Sequence, residues 1–160
     1  MEEAAEPVLI STSPRHVWVI SSLRLPLENF LYLPQNACVS QESIDSLIMR
    51  VKRLRATDKN CYILLILHWG WEHHFRATPQ QREDAHKLID AGADAIVGHH
   101  SHTLQTIETY RGKPIGNFIF DQRKPMNSRA CLVELSITAE KCKAKALPIE
   151  IKNCTPYLSK

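Results

Sequence analysis

With 160 residues, 44% hydrophobic and 23% charged, the chain has material for one globular domain with a buried core, not a disordered or fibrous segment. Its 20 basic and 17 acidic side chains leave a formal charge of +3, a balance too even to argue for nucleic acid or an anionic membrane as partner. The longest apolar run, Cys61 to Leu67, falls far short of the ~20 residues a membrane-spanning helix requires. The acidic start, Met1 to Glu6, leads into no signal-type segment, so the default expectation is a cytoplasmic chain. The cysteines Cys38, Cys61, Cys131, Cys142 and Cys154 are odd in number and include no CxxC pair, which favours reduced structural thiols over a disulfide framework.

No repeat, low-complexity tract or linker divides the chain, and residues 1–160 read as a single domain. Pro7 to Ile10 and His16 to Ser21 are short β-type runs around Ser11-Thr12-Ser13-Pro14-Arg15, the pattern of a hairpin. Arg24 to Cys38, with two prolines, reads as a long loop. Ser40 can cap a helix whose apolar residues Ile44, Leu47, Ile48, Val51 and Leu54 fall on one face, with a turn at Thr57 to Asn60. Cys61 to Leu67 is apolar at every position, as expected of a strand buried on both faces within a parallel sheet. Thr78, Pro79 and Gln81 supply cap, first-turn proline and capping box for a helix that ends near Ala91, where Gly92 can turn left-handed.

Ala95-Ile96-Val97 is the next strand, which makes a βαβ unit with a right-handed crossover. Beyond it the pattern predicts antiparallel strands. Gln105 to Tyr110 and Lys113 to Ile115 flank a turn at Arg111-Gly112, followed by Phe118-Ile119-Phe120, Cys131 to Ile137 and Lys143 to Ile151. The lysines between Lys141 and Lys145 suit the solvated face of an edge strand.

Two stretches carry chemistry. His68 follows the apolar strand, and Gly98-His99-His100-Ser101-His102 follows the next one. Both therefore lie beyond the carboxyl ends of parallel strands, where open α/β sheets bind their ligands. A lone histidine after a strand is usually a packing or surface residue. Three histidines, His68, His100 and His102, at two converging strand ends instead predict a divalent metal site. Imidazole donors suit Zn, Fe, Mn or Ni, and the residues do not choose among them.

The run His68-Trp69-Gly70-Trp71-Glu72, Pro79, Asp90-Ala91-Gly92-Ala93-Asp94, Gly98 to Gln105 and Gly116 to Gln122 resembles the CapA, or poly-γ-glutamate capsule biosynthesis, family. That family belongs to the calcineurin-like metallophosphoesterases, and the resemblance runs from about Pro7 to about Ser136. It implies an α/β fold that is part of a four-layer α-β-β-α sandwich, with one central βαβ unit and later antiparallel strands. It also implies a dinuclear metal centre of Mn, Fe or Zn, with His68, His100 and His102 as ligands. Glu72, His99, Asn117 and Asp121 fall on motifs near the cleft as candidate substrate or ligand-orienting residues. His99, which stands where many relatives have glycine, is not counted as a ligand. Members of the family are often associated with the cell envelope.

The family's domain begins with an Asp-x-His strand end, then Gly-Asp, then Gly-Asn-His motifs. This sequence has no such beginning, and its glycines are Gly70, Gly92, Gly98, Gly112 and Gly116. The chain thus resembles the C-terminal half of the domain, lacking the bridging carboxylates and the catalytic His-Asp pair. The expectation is a metal-dependent hydrolase with an incomplete catalytic domain; the alternative is an inactive metal-binding or structural fragment that joins a partner. The partner expected is the missing N-terminal half or a second copy, because Tyr62 to Leu67 needs cover on both faces.

Overall fold

The computed structural model describes residues 2–25, 39–117, 129–140, 142–152 and 155–158. A short helix α1 (Glu2–Ala5) leads into β1 (Val8–Ser11) and β2 (Val17–Arg24), an antiparallel hairpin as its flanking runs predict. The loop read between Arg24 and Cys38 lies almost wholly outside the described residues; Arg24 itself closes β2.

Helix α2 (Ile44–Thr57) starts later than the sequence pattern suggests. Its cap is Ser43, whose hydroxyl accepts from the Ser46 backbone N–H at 3.1 Å. Ser40 is instead buried, and its carbonyl accepts from the Leu23 N–H at 2.7 Å. A hydroxyl can cap only where the chain enters the helix, and here residues 39 and 40 are still held beside β2.

β3 (Tyr62–Trp69), α3 (Pro79–Asp90) and β4 (Ala95–His99) form the predicted βαβ unit, with β3 and β4 parallel. Thr78 and Gln81 complete the capping box, Pro79 takes the first helical position, and Gly92 has φ +119° after the helix. β5 (Glu108–Tyr110) and β6 (Lys113–Asn117) are the predicted hairpin. β6 also pairs in parallel with β4, so the part after the βαβ unit is not purely antiparallel. The sheet order is β1-β2-β3-β4-β6-β5, with β2, β3, β4 and β6 parallel.

A second sheet comprises β7 (Arg129–Ile137), β8 (Cys142–Lys152) and β9 (Thr155–Leu158). β9 pairs only with Ile149 to Lys152 of β8, leaving the half that carries Lys143 and Lys145 exposed along one edge, as the lysine pattern suggests. The expected strand Phe118 to Phe120 lies outside the described residues.

Alternation along the strands divides the core between the two sheet faces. Ile20, Ile63, Leu65, Leu67, Trp69 and Ile96 pack with Leu47, Val51, Ala85 and Leu88 of the helices. Val17, Tyr62, Leu64 and Ala95 face the other way, and Leu135 and Ile137 of β7 pack on them. The second face of β3, expected to need an external partner, is therefore covered at Tyr62 and Leu64 by this chain's own second sheet, while Ile66 stays only partly buried. The described residues thus form three layers: helices, the six-stranded sheet and the three-stranded sheet. Cys61 and Cys131 are free and buried, and burial pushes both thiols above their ordinary pKa.

Candidate metal centre

His68 and His99 are register partners at the carboxyl ends of β3 and β4. Each lies inside its strand, where the sequence pattern places His68 just beyond. The hydrogen-bond ladder carries on to Trp69 because Arg24 of β2 pairs with it. On β3 the even-numbered residues Tyr62, Leu64 and Ile66 face the second sheet, which puts His68 on that face at the open end of the sheet.

The turn after β3 depends on Gly70, which has φ +92°. A Cβ there would run into the side-chain amide of Gln81. Gln81 is the capping-box residue of α3: its Oε1 accepts from the Thr78 N–H at 3.0 Å and its own N–H donates to the Thr78 hydroxyl at 3.1 Å. Turn and helix cap are therefore packed against each other, and the chain between them, Trp71 to Ala77, is sent over the strand ends.

That segment is fastened to the loop after β4. The His73 N–H donates to the Ser101 carbonyl at 2.7 Å. The Thr103 hydroxyl and the Gln105 amide both donate to the His74 carbonyl, at 2.9 and 2.8 Å. Ser101, Thr103 and Gln105 are buried although polar, which such bonds make affordable. His73, His100 and His102 have φ of 59°, 89° and 52°, left-handed values that cost on the order of 1 kcal/mol each in a residue with a Cβ. Three such residues in two fastened loops mark a place where position outweighs backbone comfort.

The Nε2 of His68 lies 3.1 Å from the Nδ1 of His100, with ring centroids 4.9 Å apart. His100 and His102 have centroids 5.9 Å apart, and the His102 Nε2 lies 3.4 Å from a Glu72 carboxylate oxygen. One ligand atom from each of Glu72, His100 and His102 lies within 4.8 Å of the other two. Ligands at bond lengths of about 2.0–2.2 Å sit roughly 3–3.5 Å from one another, a spacing met by the Glu72–His102 pair at 3.4 Å and the His68–His100 pair at 3.1 Å. Imidazole nitrogens with one carboxylate suit Mn, Fe or Zn without choosing among them.

The structure thus brings His68, His100, His102 and Glu72 into one cluster. His99 stays beside them as the partner of His68 in the sheet. Asn117 ends β6, where its backbone pairs with Gly98, and Asp121 lies outside the described residues. The sequence does contain one Asp-x-His, Asp84-Ala85-His86, but it lies on α3 and not at a strand end. His86 meets Glu108 at 2.7 Å and stacks on Tyr110 with centroids 3.9 Å apart. The hydrogen bond from His86 and a second from Arg82 hold the Glu108 carboxyl below its ordinary pKa. Beside the loops, a cavity of about 370 Å³ is lined by residues including Trp69, Arg76, Arg82, Gln105 and Glu108. The roles of Ser101, Thr103 and Gln105 escape the sequence reading, although their alternation with His102 and Leu104 is a signal of an extended, half-buried segment.

The layered fold defines the class first. The chain is similar to the sulfate thiohydrolase SoxB of Thermus thermophilus, with a TM-score of 0.54 and 16% identity over 89% of this chain and 24% of that one, a likeness of fold alone. The family follows from the sequence: the chain belongs to the bacterial capsule synthesis protein family PGA_cap, whose model matches residues 3–122. It is 39% identical over 94 residues to the PGA biosynthesis protein CapA of Bacillus subtilis, a match covering 56% of this chain and 25% of that protein. The capsule biosynthesis protein CapA of Bacillus anthracis is 35% identical over 96 residues, covering 56% and 23%. A probable polyglutamine synthesis accessory protein of Mycobacterium tuberculosis is 46% identical over 52 residues, covering 32% and 14%. The chain spans about a quarter of the length of the two CapA proteins it matches. Among the described residues no helix is long and apolar enough to cross a membrane.

Proposed function

We propose that this chain supplies the histidine-bearing part of a divalent metal centre in a phosphoesterase-like hydrolase serving capsule polyglutamate synthesis. One observation carries the reading: His68, His100 and His102, from the ends of two parallel strands, converge with ring nitrogens of the first two 3.1 Å apart. In this reading His68 holds the ion from the end of β3, and His100 and His102 from the loop after β4. A bound ion would supply Lewis acidity and lower the pKa of an attached water. The chain's own residues then have a positioning task. The Gly70 turn and the His74 carbonyl bonds keep the imidazoles in place, and His99, Asn117 and Asp121 remain, from their sequence motifs, the candidate substrate or orienting groups.

Two-metal hydrolysis of phosphate esters also calls for bridging carboxylates. The Asp-x-His strand end, Gly-Asp and Gly-Asn-His motifs that would supply them are not in this sequence. Complete chemistry therefore draws on a further polypeptide segment, which would also complete the four-layer sandwich. A second reading, a metal-binding module without activity of its own, is favoured by that same lack of carboxylates.

Elemental analysis after loading with Mn or Zn tests the site, and fewer than about 0.1 ion per chain would sink it. Hydrolysis of bis(p-nitrophenyl) phosphate then separates the two readings. Turnover by this chain alone favours the enzyme. Turnover only when the missing segment is added favours the two-part centre, and none in either case favours the binding module.

A further inference from the structure

We infer that Glu72 is a direct metal ligand, completing with His100 and His102 a three-donor divalent-cation site held within this one chain. The inference rests on the metal-binding reading above and goes beyond its all-histidine ligand set. Three features support it. The donors converge, since a carboxylate oxygen of Glu72 lies 3.4 Å from the His102 Nε2 and all three ligand atoms fall within 4.8 Å of one another. The Glu72–His102 separation matches the distance between neighbouring ligands around one ion, about 3–3.5 Å for bonds near 2.1 Å.

The backbone is built to bring them there. Glu72 precedes His73, whose left-handed φ and hydrogen bond to the Ser101 carbonyl lock the two loops together between the histidines His100 and His102. A surface ion pair between Glu72 and His102 would need neither the strained backbone nor the second imidazole. The chemistry also balances. A carboxylate adds the negative charge and hard oxygen that Mn, Fe and Zn accept beside imidazole, and that three neutral histidines lack.

The other carboxylate oxygen of Glu72 lies 3.8 Å from the His73 Nε2. His68, whose Nε2 lies 3.1 Å from the His100 Nδ1, is placed either to share the ion or to orient His100 by hydrogen bonding.

The test is calorimetric titration of the chain with Zn and Co(II), wild type beside Glu72→Ala and Glu72→Gln. The Glu72 side chain is half exposed, so neither substitution removes core packing. Loss of a direct ligand predicts affinity weakened about a hundredfold or more in Glu72→Ala, above the range for removing an orienting group. It also predicts shifted visible bands of bound Co(II) in Glu72→Gln. Affinity within threefold of wild type overturns the inference while leaving the histidine site intact. Weakened affinity with unchanged Co(II) bands overturns it too, by making Glu72 a positioning residue for His102. A wild-type chain that binds neither ion overturns the metal reading itself.

Discussion

His68 Nε2 and His100 Nδ1 lie 3.1 Å apart although 32 residues separate them in the chain. The contact exists because β3 and β4 are parallel and end together, with His68 opposite His99, so the first residue past β4 turns back onto the last polar residue of β3. Two imidazoles in such contact share one fate. His100→Ala, which removes a direct ligand, is expected to weaken Zn binding about a hundredfold or more, and His68→Ala by about tenfold or more. The double variant should lose less than the sum of the two, because either single change already breaks the shared arrangement. Isothermal titration of all four proteins measures the coupling, and strict additivity would show that the two rings act independently.

Gly70 carries a separate expectation. Its φ of +92° and the Gln81 side chain beneath it leave no place for a Cβ. Gly70→Ala should lower the unfolding free energy by about 1–3 kcal/mol, combining left-handed strain with disturbance of the α3 cap. Urea unfolding followed by circular dichroism reads this directly, and Gly112→Ala, whose Cβ would meet nothing within 4 Å, serves as the strain-only comparison.

At the opposite end of the same strands sits a charge cluster that should matter for stability alone. The buried Asp94 carboxylate accepts from the Ile63 backbone N–H at 2.9 Å and from Arg55 at 2.5 Å, and it also pairs with Lys113. Removing one member of a buried pair strands the others. Asp94→Ala should therefore cost roughly 3 kcal/mol, the low end of the usual range because Arg55 and Lys113 are partly exposed. Metal affinity per folded chain should not change, and a large fall in it would show that the two ends of the sheet are coupled.

The Glu108 carboxyl predicts a pH dependence. The hydrogen bond from His86, then that from Arg82, lowers its pKa below the ordinary 4.5. A carboxyl with a depressed folded value favours the folded state fully above its unfolded pKa and loses that contribution as pH falls through the folded one. Wild type should exceed Glu108→Gln in stability at pH 6 by up to about 1 kcal/mol, a figure kept small by solvent screening. The gap should close on acidification below pH 4.5, and thermal melts across that range would reveal a gap that instead widens.

Apolar surface left exposed predicts association. Val8 and Ile10 of β1 are 59% and 60% exposed at one edge of the large sheet, and Leu132 and Leu158 of the second sheet are 50% and 66% exposed. Exposed apolar positions on a strand edge or a sheet face attract further strands. Light scattering should give an apparent mass that rises with concentration, and a Val8→Lys/Ile10→Lys variant should lower it. A constant monomer mass in the wild type would remove the expectation.

Much of the centre was legible without coordinates, for local reasons. The unbroken apolar run of β3, the Thr78-Pro79-Gln81 cap and Gly92 each act within a few residues, so the βαβ unit and the ends that carry His68 and His100 follow from neighbours in sequence. What escaped is non-local. Ser40 has the chemistry of a cap, yet pairing with β2 holds it outside the helix and passes the role to Ser43. β6 belongs to a hairpin and also to the parallel sheet, a choice made by β4 and not by β6 itself. Glu72 comes to His102 only through bonds that Ser101, Thr103 and Gln105 make to another loop, and no residue near Glu72 announces them.

The carbonyl of His74 accepts from both Thr103 and Gln105, which makes residues 72–74 and 100–105 one mechanical part drawn from two places in the gene. The acceptor is a main-chain carbonyl that any residue at position 74 carries, so the side chains the joint requires are those of Thr103 and Gln105. Sequence drift in residues 72–74 is therefore tolerable so long as the backbone keeps its path, whereas loss of both donors from the second loop should release the first.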